Sequence, residues 1–158
     1  MKYSRIIMKY TKLLLLLTLI LSPSLFATAQ TKIKTAPVKT PTAQAVKSSP
    51  AYAEILLRKT ELAAELENYL ADYTDEFPKV KELRFELDLL SKEMNRILAV
   101  NAADSAKLTL ALGKLMLRKI QLETDVWNLR KQYNDEHPDV KQAKRKVEVF
   151  EAAIKEIL

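Results

Sequence analysis

The sequence predicts an all-α protein of long coiled-coil-like helices, built as two repeated helix–Pro break–helix units behind a disordered amino-terminal linker. Three observations predict it. The 158 residues include one Gly and no Cys, with 48% hydrophobic and 29% charged residues. A chain so poor in Gly lacks the residue that tight turns need for positive φ, and one rich in Ala, Leu, Glu, Lys and Arg favours helix. From Ala51 onward the apolar residues recur in steps of four and three, a coiled-coil stripe. That stripe then returns at an offset of 60 residues, with about 14 of the 48 pairs from 51–98 and 111–158 identical.

Residues 1–29 have the three parts of a secretory signal peptide. Lys2, Arg5, Lys9 and Lys12 form the positive region, Leu13 to Leu21 the apolar core, and Ala27-Thr28-Ala29 a small-residue cleavage site. Cleavage after Ala29 is expected, because this apolar core is far short of the roughly 20 residues that a membrane span requires. Residues 30–50 are rich in Thr, Ala, Lys and Pro without apolar periodicity, and read as a disordered linker. Lys32, Lys34, Lys39 and Lys47 give this strip a weak affinity for an anionic envelope surface. The net charge of +6 is less than the eight basic residues that precede Ala51, where no acid occurs, so the remainder is slightly acidic. Nucleic-acid binding is therefore not expected.

Residues 51–98 form repeat unit 1. Leu62, Leu66, Tyr69 and Tyr73 carry its stripe to the break, and Val80, Leu83, Leu87, Leu90, Met94 and Ile97 carry it on. Residues 99–110 form a connection, where Asn101, Asp104 and Ser105 offer helix caps and favour a break. Residues 111–158 are unit 2, with Leu122, Val126, Leu129 and Tyr133 before its break and Val140, Ala143, Val147, Phe150, Ile154 and Ile157 after it. Gly113 lies inside a strong helical pattern and predicts a close helix approach. The flank bearing Arg58, Lys59, Glu61, Glu65, Lys79, Lys81, Glu82 and Arg84 reads as a solvated coiled-coil face.

Each unit breaks at the same point, in Tyr73-Thr-Asp75-Glu-Phe77-Pro78-Lys-Val80 and Tyr133-Asn-Asp135-Glu-His137-Pro138-Asp-Val140. These ten numbered residues are the candidate structural corner. Pro78 and Pro138 cannot donate to a helical ladder, but the first turn of a new helix needs no such donor. Thr74-Asp75 and Asn134-Asp135 are suitable N-caps, and Asp75-Glu76 and Asp135-Glu136 suit a helix start through its dipole. The stripe runs through each proline without a skipped residue, which favours a kink, whereas the capping residues suit a hairpin; both remain open. His137 is the single histidine, yet its equivalent is Phe77, so a ring packing on the turn is expected in preference to a ligand or a base. No metal site, cofactor or catalytic residue is predicted, and no phosphate loop, zinc motif or nucleophile elbow occurs. Tyr69, Tyr73 and Tyr133 fall on the stripe and are expected to pack. Trp127 lies beside it, half exposed, as a possible contact residue.

The two corners, each followed by an apolar heptad run, resemble the periplasmic coiled-coil region of polysaccharide chain-length determinant proteins, the polysaccharide copolymerases. That family commonly has Tyr, polar residues, His-Pro and Val in this setting, and this chain has Phe77 at the first His position. It lacks the family's two membrane-spanning helices, α/β part and kinase domain. The resemblance implies a helical envelope module that interacts with export machinery or polymer. The expectation is a non-enzymatic binding or scaffolding protein, periplasmic or secreted after cleavage near Ala29. Its partner would be another protein or a second copy, held through the apolar stripe. A periplasmic holdase-type chaperone is the alternative.

Overall fold

A computed structural model describes residues 43–158, and among these every regular element is helical, without a strand. The helices are α1 (Ala43–Lys47), α2 (Pro50–Asp72), α3 (Pro78–Leu98), α4 (Leu110–Leu129) and α5 (Pro138–Ile157), with a 3-10 segment at Ala102–Lys107. None is long and apolar enough to cross a membrane among the described residues. The expected signal peptide and residues 30–42 of the expected linker lie outside them.

The ordered body begins before Ala51, which corrects the carboxyl-terminal end of the linker. Residues 43–47 are helical, Val46 is buried, and the Ser49 side chain accepts a hydrogen bond from the Tyr52 amide to cap α2. A five-residue helix shows too little periodicity to be read, and here one buried valine is enough to dock it.

Both proline corners reverse the chain, so the open question of kink or hairpin resolves to hairpins. In hairpin 1, Arg58 of α2 bonds Glu86 of α3 at 3.0 Å and Glu65 pairs with Lys79 at 3.5 Å. The partner numbers fall as the first residue's rise, which only antiparallel helices allow. In hairpin 2, α5 folds back on α4, and Lys119 bonds Glu151 at 3.0 Å. The stripe keeps its phase through the turn because a hairpin, like a kink, lets both arms present the same seam.

Helix α4 also lies antiparallel against α3. Asn128 donates to Glu82 at 2.9 Å, and Lys119 bonds Glu93. Both corners therefore sit at one end of the body, opposite the 3-10 connection. Helix α4 is the shared element, packing on α2, α3 and α5. Its buried residues wrap most of its girth, from Leu112 and Met116 to Ile120, Leu122 and Val126. The core joins Ile55 and Leu62 of α2, Leu83, Leu90 and Ile97 of α3, the central residues of α4 and Ile154 of α5. Each buried aliphatic side chain contributes about 1.5–3 kcal/mol.

Gly113 has the close approach that its sequence setting predicts. A Cβ built there would lie 3.0 Å from the Ala51 Cα and 3.1 Å from the Glu54 Cβ, so α2 and α4 meet where no side chain fits. The amide of Ala51 also donates to the Leu108 carbonyl at 3.2 Å, tying the start of α2 to the connection. Asn101 caps the 3-10 segment through the Ala103 amide, as its residue type predicts, and Thr109 caps α4 through the Leu112 amide.

Candidate functional site

The two corners have one geometry. Tyr73 stacks on Phe77 and Tyr133 on His137, each pair with ring centroids 4.1 Å apart. Pro78 and Pro138 open α3 and α5, and Val80 and Val140 just behind them are fully buried. The ion pairs repeat as well. Lys81 bonds Glu76 where Lys141 bonds Glu136, and Arg84 bonds Asp75 where Lys144 bonds Asp135. Each ring precedes the proline in extended conformation, with its amide donating to the Thr74 or Asn134 carbonyl.

Two expectations about the corner are corrected. Tyr73 and Tyr133 are 47% and 40% exposed instead of buried in the stripe, because Tyr73 is the C-cap of α2 and Tyr133 lies four residues beyond the last residue of α4, and each ring leans on the corner. The N-caps are Phe77 and His137, not the polar residues two and three places earlier. His137 caps through Nδ1, which accepts from the Asp139 amide at 3.3 Å, while Phe77 offers no side-chain cap. Asp75 and Asp135 instead reach across the corner to a cation on the following helix. Asp135 is bonded by Arg130, at 2.7 Å, and by Lys144, at 3.1 Å; these two cations hold its carboxyl down to about 2. The hydrogen bond and charge of Lys81 likewise lower the Glu76 pKa. The shared ring stack means that the imidazole does in unit 2 what a phenyl ring does in unit 1. Among the described residues, no three His, Cys, Asp or Glu side chains are grouped to hold a metal ion.

Trp127 is half-buried and lies between two partners. Its ring stacks on Phe85 of α3 at 5.0 Å and 10° between planes, and Lys131 Nζ sits 3.3 Å from its centroid. It borders a groove of about 360 Å³ with α4 as floor and α3 and α5 as walls. Phe85, Leu89, Val126 and Val147 give that groove an apolar lining, and Glu123, Arg130, Lys144 and Glu148 give it a charged rim. Phe85 was not legible as a groove residue, because it lies off the stripe and only the α3–α4 contact gives it a partner.

A second assembly was also hidden in the sequence. Lys119 has a side chain only 9% exposed and bonds both Glu93, itself 7% exposed, and Glu151, which Arg96 holds at 3.1 Å. Burial disfavours the charged form of Lys119, but the bonds to Glu93 and Glu151 outweigh it and raise its pKa. Glu151 is held low by the same logic, since Lys119 and Arg96 overcome its burial. Glu123 goes the other way. Burial raises its pKa, and the charges of Glu93 and Glu151 add to that against the attraction of Lys119. The cluster pins α3, α4 and α5 at one level of the body. Periodicity does not reveal it, because periodicity marks which residues share a face, not which face a third helix covers. The flank that reads as solvated in the sequence does more than meet water, since Arg58 and Lys79 cross-link α2 to α3.

Comparison with family models, curated proteins and solved structures finds no match to this chain.

Proposed function

We propose that the chain is an exported, non-enzymatic binding or scaffolding protein of the bacterial cell envelope, working in the periplasm beside polysaccharide export machinery. The observation that carries this reading is the pairing of the corners. Two copies of one motif stand at the same end of a rigid body, each presenting an exposed tyrosine stacked on a second ring and flanked by ion pairs. Exposed, preordered aromatic rings are the kind of surface that binds a partner at low entropic cost. The leader-like residues 1–29 support export, and the corner's resemblance to the copolymerase coiled coil supports the choice of machinery.

Site-specific photo-crosslinkers at Tyr73 and Tyr133 in cells test the reading, with Lys155 as a control position. The expected result is a processed chain in the periplasmic fraction, joined at the corner positions to an export component. A chain retained unprocessed in the cytoplasm, or one that gives the same adducts from position 155, overturns it.

A holdase-type chaperone is a second reading, favoured by the apolar groove beside Trp127. It predicts that the purified chain suppresses aggregation of an unfolded envelope protein and that Trp127→Ala weakens the effect. Equal suppression by both chains removes the groove from that role.

A further inference from the structure

The two hairpins are copies of one unit, so the contact between them defines faces that each copy leaves unused. Hairpin 2 seats on hairpin 1 by laying one side of α4, where Lys119 and Trp127 meet Glu93 and Phe85, on one side of α3, with Met116 and Leu89 in the core they share. Sixty residues earlier, that side of α4 corresponds on α2 to Leu56, Lys59 and Glu67. Sixty residues later, that side of α3 corresponds on α5 to Arg145, Val149 and Ala153. Met116 and Leu89 are 0% and 9% exposed, whereas their counterparts Leu56 and Val149 are 43% and 66% exposed. The faces that join the hairpins are covered, and on the matching faces at the two outer edges Leu56, Glu67, Arg145 and Val149 are exposed, with Lys59 and Ala153 half-buried.

We propose that the chain associates with itself head to tail, the α2 face of one copy seating on the α5 face of the next as α4 seats on α3. The substitutions between the repeats fit this contact. The stacked pair Trp127–Phe85 becomes Glu67 and Arg145, both exposed and opposite in charge. The bonded pair Asn128–Glu82 becomes Asn68 and Gln142, two amides that can each donate and accept. The close approach of Gly113 to Ala51 becomes Ala53 facing Ala111, again small against small and both exposed. One feature does not transfer. Lys119–Glu93 becomes Lys59 and Ala153, so the contact between copies lacks the buried ion pair and is weaker than the one within the chain. Because the two faces differ, the contact is heterologous and adds copies in one direction, as stacked repeats do.

The inference names the partner of the scaffold proposed above and rests on that reading for its purpose, though the contact itself is independent of compartment. The full-length chain, purified from whichever fraction of an expressing host holds it, is followed by light scattering across a concentration series. Wild type is expected to grow from monomer to dimer and beyond with concentration. Leu56→Glu and Val149→Glu, both at exposed positions, are each expected to stay monomeric with unchanged helicity. Mixed together, they are expected to stop at a one-to-one dimer, since one variant keeps the α2 face and the other the α5 face. Glu67→Arg and Arg145→Glu are each expected to weaken association about tenfold, and the double variant to recover it. Wild type monomeric up to about 1 mM, the weak end of specific binding, overturns the inference. So does association that neither face variant alters, which would place the partner surface elsewhere, or a mixture no larger than its components. An exported chain that stays monomeric overturns this inference alone; a cytoplasmic chain that assembles in this way overturns the envelope reading alone.

Discussion

At the corner, the single histidine and its phenylalanine counterpart hold the same ring position, 4.1 Å from a tyrosine. His137→Phe therefore replaces one stacked ring by another and gives up only a 3.3 Å cap to the Asp139 amide. The expected change in stability is within about 1 kcal/mol, the worth of a helix cap, read by denaturant unfolding. A loss of several kcal/mol would mean that the imidazole has a role the phenyl ring in unit 1 does not share. Asp135 gives a second residue-scale prediction. Its carboxyl is lowered from 3.8 to about 2 by Arg130 and Lys144, so it should titrate near 2 in a carbon-detected NMR series. A depressed acid stabilises the folded state above its unfolded pKa, and that contribution is lost as pH falls from 3.8 toward 2. The group is exposed, so the bonds to it are weakened by water and salt, and Asp135→Asn should change stability little at neutral pH. The identity of this residue as an ion-pair partner was not legible. An Asp two or three places before a helix reads as a cap, and only the reversal of the chain brings Lys144 within 3.1 Å of it.

Among the elements, α4 sets the architecture, and its three neighbours constrain it by different physics. Against α2 the constraint is steric. Gly113→Ala would gain about 1 kcal/mol of helix propensity. The added Cβ would stand 3.0 Å from backbone at Ala51, which cannot move without shifting α2. Overpacking of this kind costs about 1–3 kcal/mol, so a net loss is expected in denaturant unfolding; a gain would mean that the helices part freely there. Gly113 was legible because a glycine within a strong helical pattern needs a packing reason. Against α3 and α5 the constraint is electrostatic, and Glu123 is its unfavourable member. Its pKa is raised by burial and by Glu93 and Glu151, so its ionised form costs stability once pH exceeds the unfolded value of 4.5. Glu123→Gln should raise the melting temperature at pH 7 by about 1–2 °C, and the gain should fade as pH drops below 4.5 and the native carboxyl protonates. A gain that persists at low pH would point to packing instead of charge. None of this cluster was legible, because Lys119 and Glu93 look like flank residues until a third helix covers them.

In the whole molecule, periodicity made the helices and their duplication readable, since apolar spacing is a local signal that tertiary packing then uses. It could not supply chain reversal, for the stripe keeps phase in a hairpin and in a kink alike. Nor could it supply the third helix, because Leu112, Met116 and Ile120 of α4 enter a core shared with α2 and α3 through faces that no heptad marks as special. That sharing makes the body one cooperative unit. Hairpin 1 without α4 would expose Ile55, Leu62, Leu83 and Leu90 along the side now covered, and hairpin 2 alone would leave α4 bare over most of its girth. At about 25 cal/mol per Å², several uncovered aliphatic side chains amount to more than the 5–15 kcal/mol by which a domain of this size is stable. Fragments 43–98 and 108–158 should each show weak, non-cooperative helicity by circular dichroism. Mixing them should restore a sigmoidal melt, since α3 and α4 carry matching contacts at Glu82–Asn128, Phe85–Trp127 and Glu93–Lys119. If either fragment melted cooperatively alone, each repeat would be a self-sufficient domain, and α4 would be a linker between hairpins instead of the core they share.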